Sequence, residues 1–282
     1  MKSIVVRLTI VCVSLIVIGL IFTSQGEAEI DPKSIAGLWL FNEGSGKAAE
    51  DSSGNGYDGE LKKNPTWADG KYNKSLEFNG GNYVELRDSA LGLPFGGVEP
   101  FSITAWVKNR GGGTIIGKFN GGVIGAYILV VGGTVTFHRE VAPWGLAGTK
   151  TLPVDEFAHV AATYDGAEMK IYINGDLDAK QARGAQNTDT VTPVLIGARF
   201  TGGNPSNFFS GVLDEVALFN VALGQDDIKL AMRGYLLNLP FSPLVNSPPR
   251  GQASKTIKKW ACFCAITIYL RIRLVTIFSS ET

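Results

Sequence analysis

Apolar and polar residues alternate with a period of two across residues 157–178, and the rest of the chain fits around that stretch. Val160, Ala162 and Tyr164 alternate with His159, Ala161 and Thr163. Past Asp165-Gly166 the pattern resumes, with Met169, Ile171 and Ile173 against Lys170, Tyr172 and Asn174. Asn174-Gly175 tolerates positive φ at both centres of a tight turn, so the chain is expected to reverse again into Leu177-Asp178-Ala179. Such a meander needs a second sheet to cover its apolar face. Residues 101–108, 114–118, 126–131 and 134–139 show the same period between glycine-rich breaks, and 35–41 also reads as a strand. Residues 75–79 and 83–86 read as a hairpin about Gly80-Gly81-Asn82. In 209–219, Leu213, Glu215, Ala217 and Phe219 are expected on one face, with Val212, Asp214, Val216 and Leu218 on the other. Residues 225–232 read as a short helix with Asp226 and Asp227 in its first turn, where the dipole favours them.

The two ends have a different character. Lys2 and Arg7 lead into an apolar run over 8–22 and a small-x-small end at Gly26-Glu27-Ala28, the pattern of a signal peptide over 1–28 and hence of a secreted or cell-surface protein. The alternative is an uncleaved anchor, for which the run is near the lower limit of roughly 17–25 residues. From 236 to 282 the chain reads as a proline-rich linker and then a basic and apolar tail. That tail is either a membrane-surface segment or a stretch not selected for a fold. Residues 29–235 form the domain between them. It contains no cysteine, since Cys12, Cys262 and Cys264 all lie outside, so it must fold without disulfides.

The 282 residues carry 26 basic and 26 acidic side chains, which gives no electrostatic case for nucleic acid. Thirty-five glycines and few helical periods favour an all-β domain with many turns.

Candidate chemistry sits in loops and at one strand. Asp51-Ser52-Ser53-Gly54-Asn55-Gly56 is a polar turn whose oxygens either form a cage for a hard cation such as calcium or merely satisfy the turn's own backbone. Asp214 lies among apolar neighbours and needs a partner or a cation if it is ionised. Trp144, between Pro143 and Gly145, either stacks on a sugar face or plugs the end of a sandwich, and Phe208 poses the same choice. No strand has the alternating acidic residues of a glycosidase, and the adjacent Asp214 and Glu215 are expected on opposite faces. His138 and His159 both fall in strands, with no cysteine nucleophile or phosphate loop nearby.

The ordered pieces GLWLFNEGSG, DSSGNGYDG, SLEFNGGNYVEL, FSITAWVK, FAHVAATYDGAEMKIYINGDL and GVLDEVALFNVAL resemble a laminin-G-like, concanavalin A-like domain. The resemblance implies an all-β, two-sheet antiparallel jelly-roll sandwich. It implies a secreted or surface protein that binds glycans, proteins or calcium at its rim, and with no acidic strand the chain reads as a non-catalytic module binding a glycan or an extracellular protein through rim loops, Trp144, Phe208 and Asn79 among them. It also implies calcium near Asp51 and Asp214, with Asn55 contributing a main-chain oxygen. The other readings are a structural adhesion unit of a larger surface protein and a polysaccharide hydrolase on the same superfold.

Overall fold

The computed structural model describes residues 29–89, 92–121 and 125–239. The expected signal peptide and the linker and tail beyond 239 lie outside the described residues.

The architecture hinges on one long strand, β7 (Phe101–Phe119), which belongs to two antiparallel sheets in turn. Its first half pairs on one side with β11 (Phe157–Tyr164), which continues through β12 (Glu168–Ile173) to β13 (Asp176–Ala182), the meander expected from the alternation. On its other side it pairs with β17 (Ser210–Phe219). The far edge of β17 is shared by β1 (Ile35–Trp39) and β5 (Lys74–Asn79), and β5 carries β4 (Thr66–Asp69) outside it.

The second half of β7 pairs with β8 (Gly125–Val131), followed by β9 (Val135–Arg139) and β10 (Gly145–Ala147). On its other flank come β14 (Leu195–Ile196), β6 (Tyr83–Leu86), β3 (Gly59–Lys62) and β2 (Ala48–Ala49). A separate hairpin, β15 (Arg199–Thr201) and β16 (Asn204–Ser206), stands apart from both sheets.

Two sequence expectations change here. Gly111 to Gly113 does not end the strand begun at Phe101; it is where β7 leaves one sheet for the other. Residues 75–86 are not a hairpin either, because β5 and β6 pair in different sheets and Gly80-Gly81 carries the chain across the sandwich. Both glycine clusters are crossings rather than reversals.

Between the sheets, inward positions of both contribute to one core that includes Trp39, Phe78, Ile103, Tyr127, Phe137 and Ile171. Phe95 stacks on Phe101 at 4.8 Å, with Tyr127 and Phe137 around them. Each fully buried side chain of this size contributes about 1.5–3 kcal/mol, which accounts for a domain stable without disulfides. The outer face of the first sheet is covered by the helix α1 (Gln225–Met232), whose Ile228 and Ala231 pack with Ala161, Ala217 and Phe219. Gly224 offers no side-chain cap; instead Asp227 reaches back to accept the Gly224 N–H at 3.2 Å. Leu236 and Leu239 join the same cluster, so packed residues continue past the expected boundary at 235.

Alternation also fails once in β17. Between Asp214↔Trp106 and Ala217↔Thr104 the strand holds one extra residue, and Glu215 takes φ 47°. The bulge returns Val216 and Leu218 to the interior with Leu213, and Asp214 does not share their face.

Candidate functional site

The outer face of the second sheet collects a row of planar side chains. On β9, Val135 and Phe137 enter the core, so Thr136 and His138 point the other way. The 140–144 loop closes with Trp144 N–H donating to the Val141 carbonyl at 2.8 Å and Arg139 N–H donating to that of Trp144 at 3.2 Å. Gly145, paired with His138, adds no side chain on this face, where a Cβ would meet Thr136 Cγ2 at 3.3 Å. The indole of Trp144 therefore lies parallel to His138, centroids 6.3 Å apart and planes 10° apart. Trp144 remains 51% exposed, which removes the reading of it as a plug. Beneath it His138 Nε2 lies 3.0 Å from Glu140 Oε2, and Phe119 meets the imidazole edge to face at 5.3 Å. An exposed indole beside a fixed imidazole and carboxylate offers an apolar plane with polar groups at its border, the chemistry that a sugar ring accepts.

Phe208 and Asn79 belong to a different place. Phe208 packs at 6.0 Å from Tyr83, with Lys63 Nζ 5.0 Å above its ring. It is half-buried against Tyr83, Leu195 and Ala198, closer to packing than to display. Asn79 pairs with Ser210, next to Phe208-Phe209, and its Oδ1 accepts the Gly81 N–H at 3.0 Å. The three proposed ligand residues thus divide between two patches.

Of the three metal candidates, Asp51 and Asn55 share one turn, joined through the Ser53 hydroxyl. Asp51 Oδ1 accepts from the N–H groups of Leu38 and Ser53 and from the Ser53 hydroxyl, and Oδ2 accepts from the Tyr57 N–H. Asn55 uses its amide nitrogen on the carbonyls of Ile35 and Ala36 and on the Ser53 hydroxyl. The turn is closed by its own donors, and a cation at Asp51 would have to displace them. Asp214 is fully buried on the other side of β17, where Oδ2 accepts the Tyr72 N–H at 3.0 Å. Among the described residues, no three His, Cys, Asp or Glu side chains converge to hold a metal. The Asp51 and Asp214 carboxylates are thus held by different main-chain donors, the Leu38, Ser53 and Tyr57 N–H groups at one and the Tyr72 N–H at the other.

Around Asp214 lies a buried polar cluster that the sequence did not single out. Trp106 is its cross-strand partner, and His159 pairs with Trp106 and meets it edge to face at 5.3 Å. Asp214 Oδ1, Glu215 Oε1, Trp106 Nε1 and His159 Nδ1 are all buried without a hydrogen-bond partner. Burial pushes Asp214 up to about 7; burial and then the Asp214 charge push Glu215 up to about 9. Burial alone brings His159 down to about 3. Burial, and then the charges of Glu215 and Asp214, push the Tyr72 hydroxyl up.

A cleft of about 700 Å³ also lies beside Asn55, bordered by Tyr57, Phe95, Glu99 and Asn220. It shares no lining residue with the Trp144 row.

The family model described as the concanavalin A-like lectin/glucanases superfamily, a laminin-G type, matches residues 78–229, more than half of the chain. The chain belongs to this superfamily. No curated protein matches it in sequence. Among solved structures, this concanavalin A-like domain is similar to domain 4 of AbnA, an extracellular arabinanase from Geobacillus stearothermophilus, in complex with arabinotriose. The identity is 21% and the TM-score 0.55, over 70% of this chain and 97% of that one. It is similar to the binding domain of Paraclostridial Mosquitocidal Protein 1, with 15% identity, TM-score 0.57, 72% of this chain and 53% of that one. It is also similar to botulinum neurotoxin type C, whose cell entry depends on two ganglioside molecules, with 15% identity, TM-score 0.54, 72% of this chain and 51% of that one. The chain spans about half the length of these toxin structures. At such identities the likeness establishes the fold.

Trp144 stands out in the sequence, but its supports do so only in part. His138 was legible from the alternation in β9; Phe119 was not, because its neighbours depend on the long-range pairing of β7 with β8.

Proposed function

We propose that this chain is a secreted, non-catalytic carbohydrate-binding module whose ligand stacks on Trp144 and bonds to His138 and Glu140. The carrying observation is the half-exposed indole held parallel to a half-buried imidazole that is itself fixed by a carboxylate. The solved relatives support the reading, one being in complex with arabinotriose and another depending on gangliosides for cell entry. The burial of Asp214 and Glu215 supports the non-catalytic part: adjacent in β17, they are 0% and 3% exposed and out of a polysaccharide's reach. Calcium is assigned no part, since the Asp51 turn already satisfies its own carboxylate. On this reading the module is an extracellular one.

A glycan array with wild type and Trp144→Ala tests the proposal. The array is expected to give saturable binding to a defined set of oligosaccharides, and Trp144→Ala to weaken it about tenfold or more, the loss typical of a central aromatic anchor. No glycan binding by the wild type would favour the adhesion-unit reading, and release of reducing ends would favour a hydrolase.

A further inference from the structure

The far end of the Trp144 row differs from the near end in charge. Arg199 on β15 lies over Gly117, where an added Cβ would come 3.6 Å from the Arg199 Cβ. Its guanidinium carbon sits 5.4 Å from the centroid of Phe119, the ring that also braces His138. The β15–β16 hairpin that carries it is tied to the residue that follows β7: Asn120 bridges to Phe200, and its Oδ1 accepts the Gly203 N–H at 2.7 Å. Among the described residues the Arg199 guanidinium has no carboxylate partner, and its Nε is buried without an acceptor. Glu140, the acid in the row, is turned onto His138 instead.

An arginine laid on an aromatic ring keeps its plane fixed and its outward donors free for a planar anion. Rings and guanidinium follow one another in the order Trp144, His138, Phe119, Arg199, in steps of 6.3, 5.3 and 5.4 Å. A ligand stacked at Trp144 and extending along the face therefore meets a cation with no anion of its own. We infer that Arg199 is a carboxylate subsite, and that the ligand is an acidic oligosaccharide whose ring carboxylate pairs with it. This rests on reading the row as a glycan platform. The carboxylate can come from a uronic or a sialic acid, since both present the same planar group.

The test is titration of the whole chain with an oligogalacturonate, its carboxyl-reduced neutral counterpart, a sialylated oligosaccharide and its asialo form. At least one acidic form is expected to bind about tenfold to a hundredfold more tightly than its neutral counterpart, as a charge-assisted pair allows. Which acidic form shows the preference distinguishes the two sources. Arg199→Gln is expected to bring the acid-to-neutral affinity ratio close to one and to flatten the salt dependence, with an unchanged Tm showing that the fold is intact. Arg199→Lys is expected to recover only part of the preference, because an ammonium cannot pair through two parallel donors. Equal binding of acidic and neutral forms, or a preference that survives Arg199→Gln, overturns the inference. If Trp144→Ala still abolishes binding in that case, the glycan platform stands without the acidic subsite. Binding of none of the four, or binding indifferent to Trp144→Ala, overturns the platform and the subsite together.

Discussion

Thermal stability is expected to fall as the pH rises from about 6.5 to 9, and Glu215→Gln is expected to remove most of that fall. Asp214 and Glu215 are buried beside one another with one oxygen each unpartnered, and the neighbouring Lys71 ammonium lies over the Trp106 ring, 4.6 Å from its centroid. Their folded pKa values of about 7 and about 9 stand above the ordinary 3.8 and 4.5. A carboxyl of this kind keeps a proton that the unfolded chain has lost. Its contribution is complete below the unfolded pKa and is lost as the pH rises through the folded one. His159 has the opposite sign: its folded value of about 3 is below the ordinary 6.5, so its contribution is complete above 6.5 and is lost as the pH falls toward 3. Above 6.5 the histidine is neutral in both states, and the slope belongs to the carboxyls. One retained proton gives about 1.4 kcal/mol per pH unit at most, or roughly 3–6 °C in Tm per unit for a domain of this size. Calorimetric Tm values at half-unit intervals check this. A flat wild-type profile, or a Glu215→Gln profile parallel to it, would contradict the neutral buried pair.

Gly211→Ala is expected to cost about 3–4 kcal/mol, enough to lower the Tm by roughly 10 °C. Gly211 pairs with Asn109 of β7, just after a register shift, at φ +143°, and a Cβ there would press into the Lys108 carbonyl oxygen and the Phe209 ring. That oxygen is main chain and cannot swing away. The comparison is Gly202→Ala on the exposed β15–β16 turn, where φ is +57° and a Cβ would meet nothing within 4 Å. There only the left-handed backbone is penalised, by about 1–2 kcal/mol. Similar denaturant midpoints for the two variants would mean that the junction of the sheets is looser than the structure shows.

How much was legible beforehand depended on how local each feature is. The meander was readable because period-two alternation and Asn174-Gly175 are neighbours in sequence, and α1 was readable from its acidic first turn. Gly80-Gly81 and Gly111 to Gly113 were misread because a glycine pair looks the same whether the chain reverses or crosses to the other sheet. That choice is made by β17 and β3, which pair with β5 and β6 from far along the chain. The bulge at Glu215 was hidden for a related reason, since one extra residue leaves composition unchanged while exchanging the faces of every later residue in the strand. At the candidate site Trp144 announced itself between proline and glycine. Its exposure could not be read from the sequence, because it depends on the 140–144 loop laying the indole alongside His138 of β9.

The central claim is that a glycan stacks on Trp144, and the most direct measurement is an amide and indole nitrogen–proton spectrum of the labelled protein titrated with an oligosaccharide selected on the array. The Trp144 indole resonance and the amides of His138 and Gly145 are expected to shift together and saturate at one affinity. Shifts confined to Asn55, Tyr57 and Asn220 with Trp144 unmoved would place the ligand in the cleft beside the Asp51 turn and contradict the account.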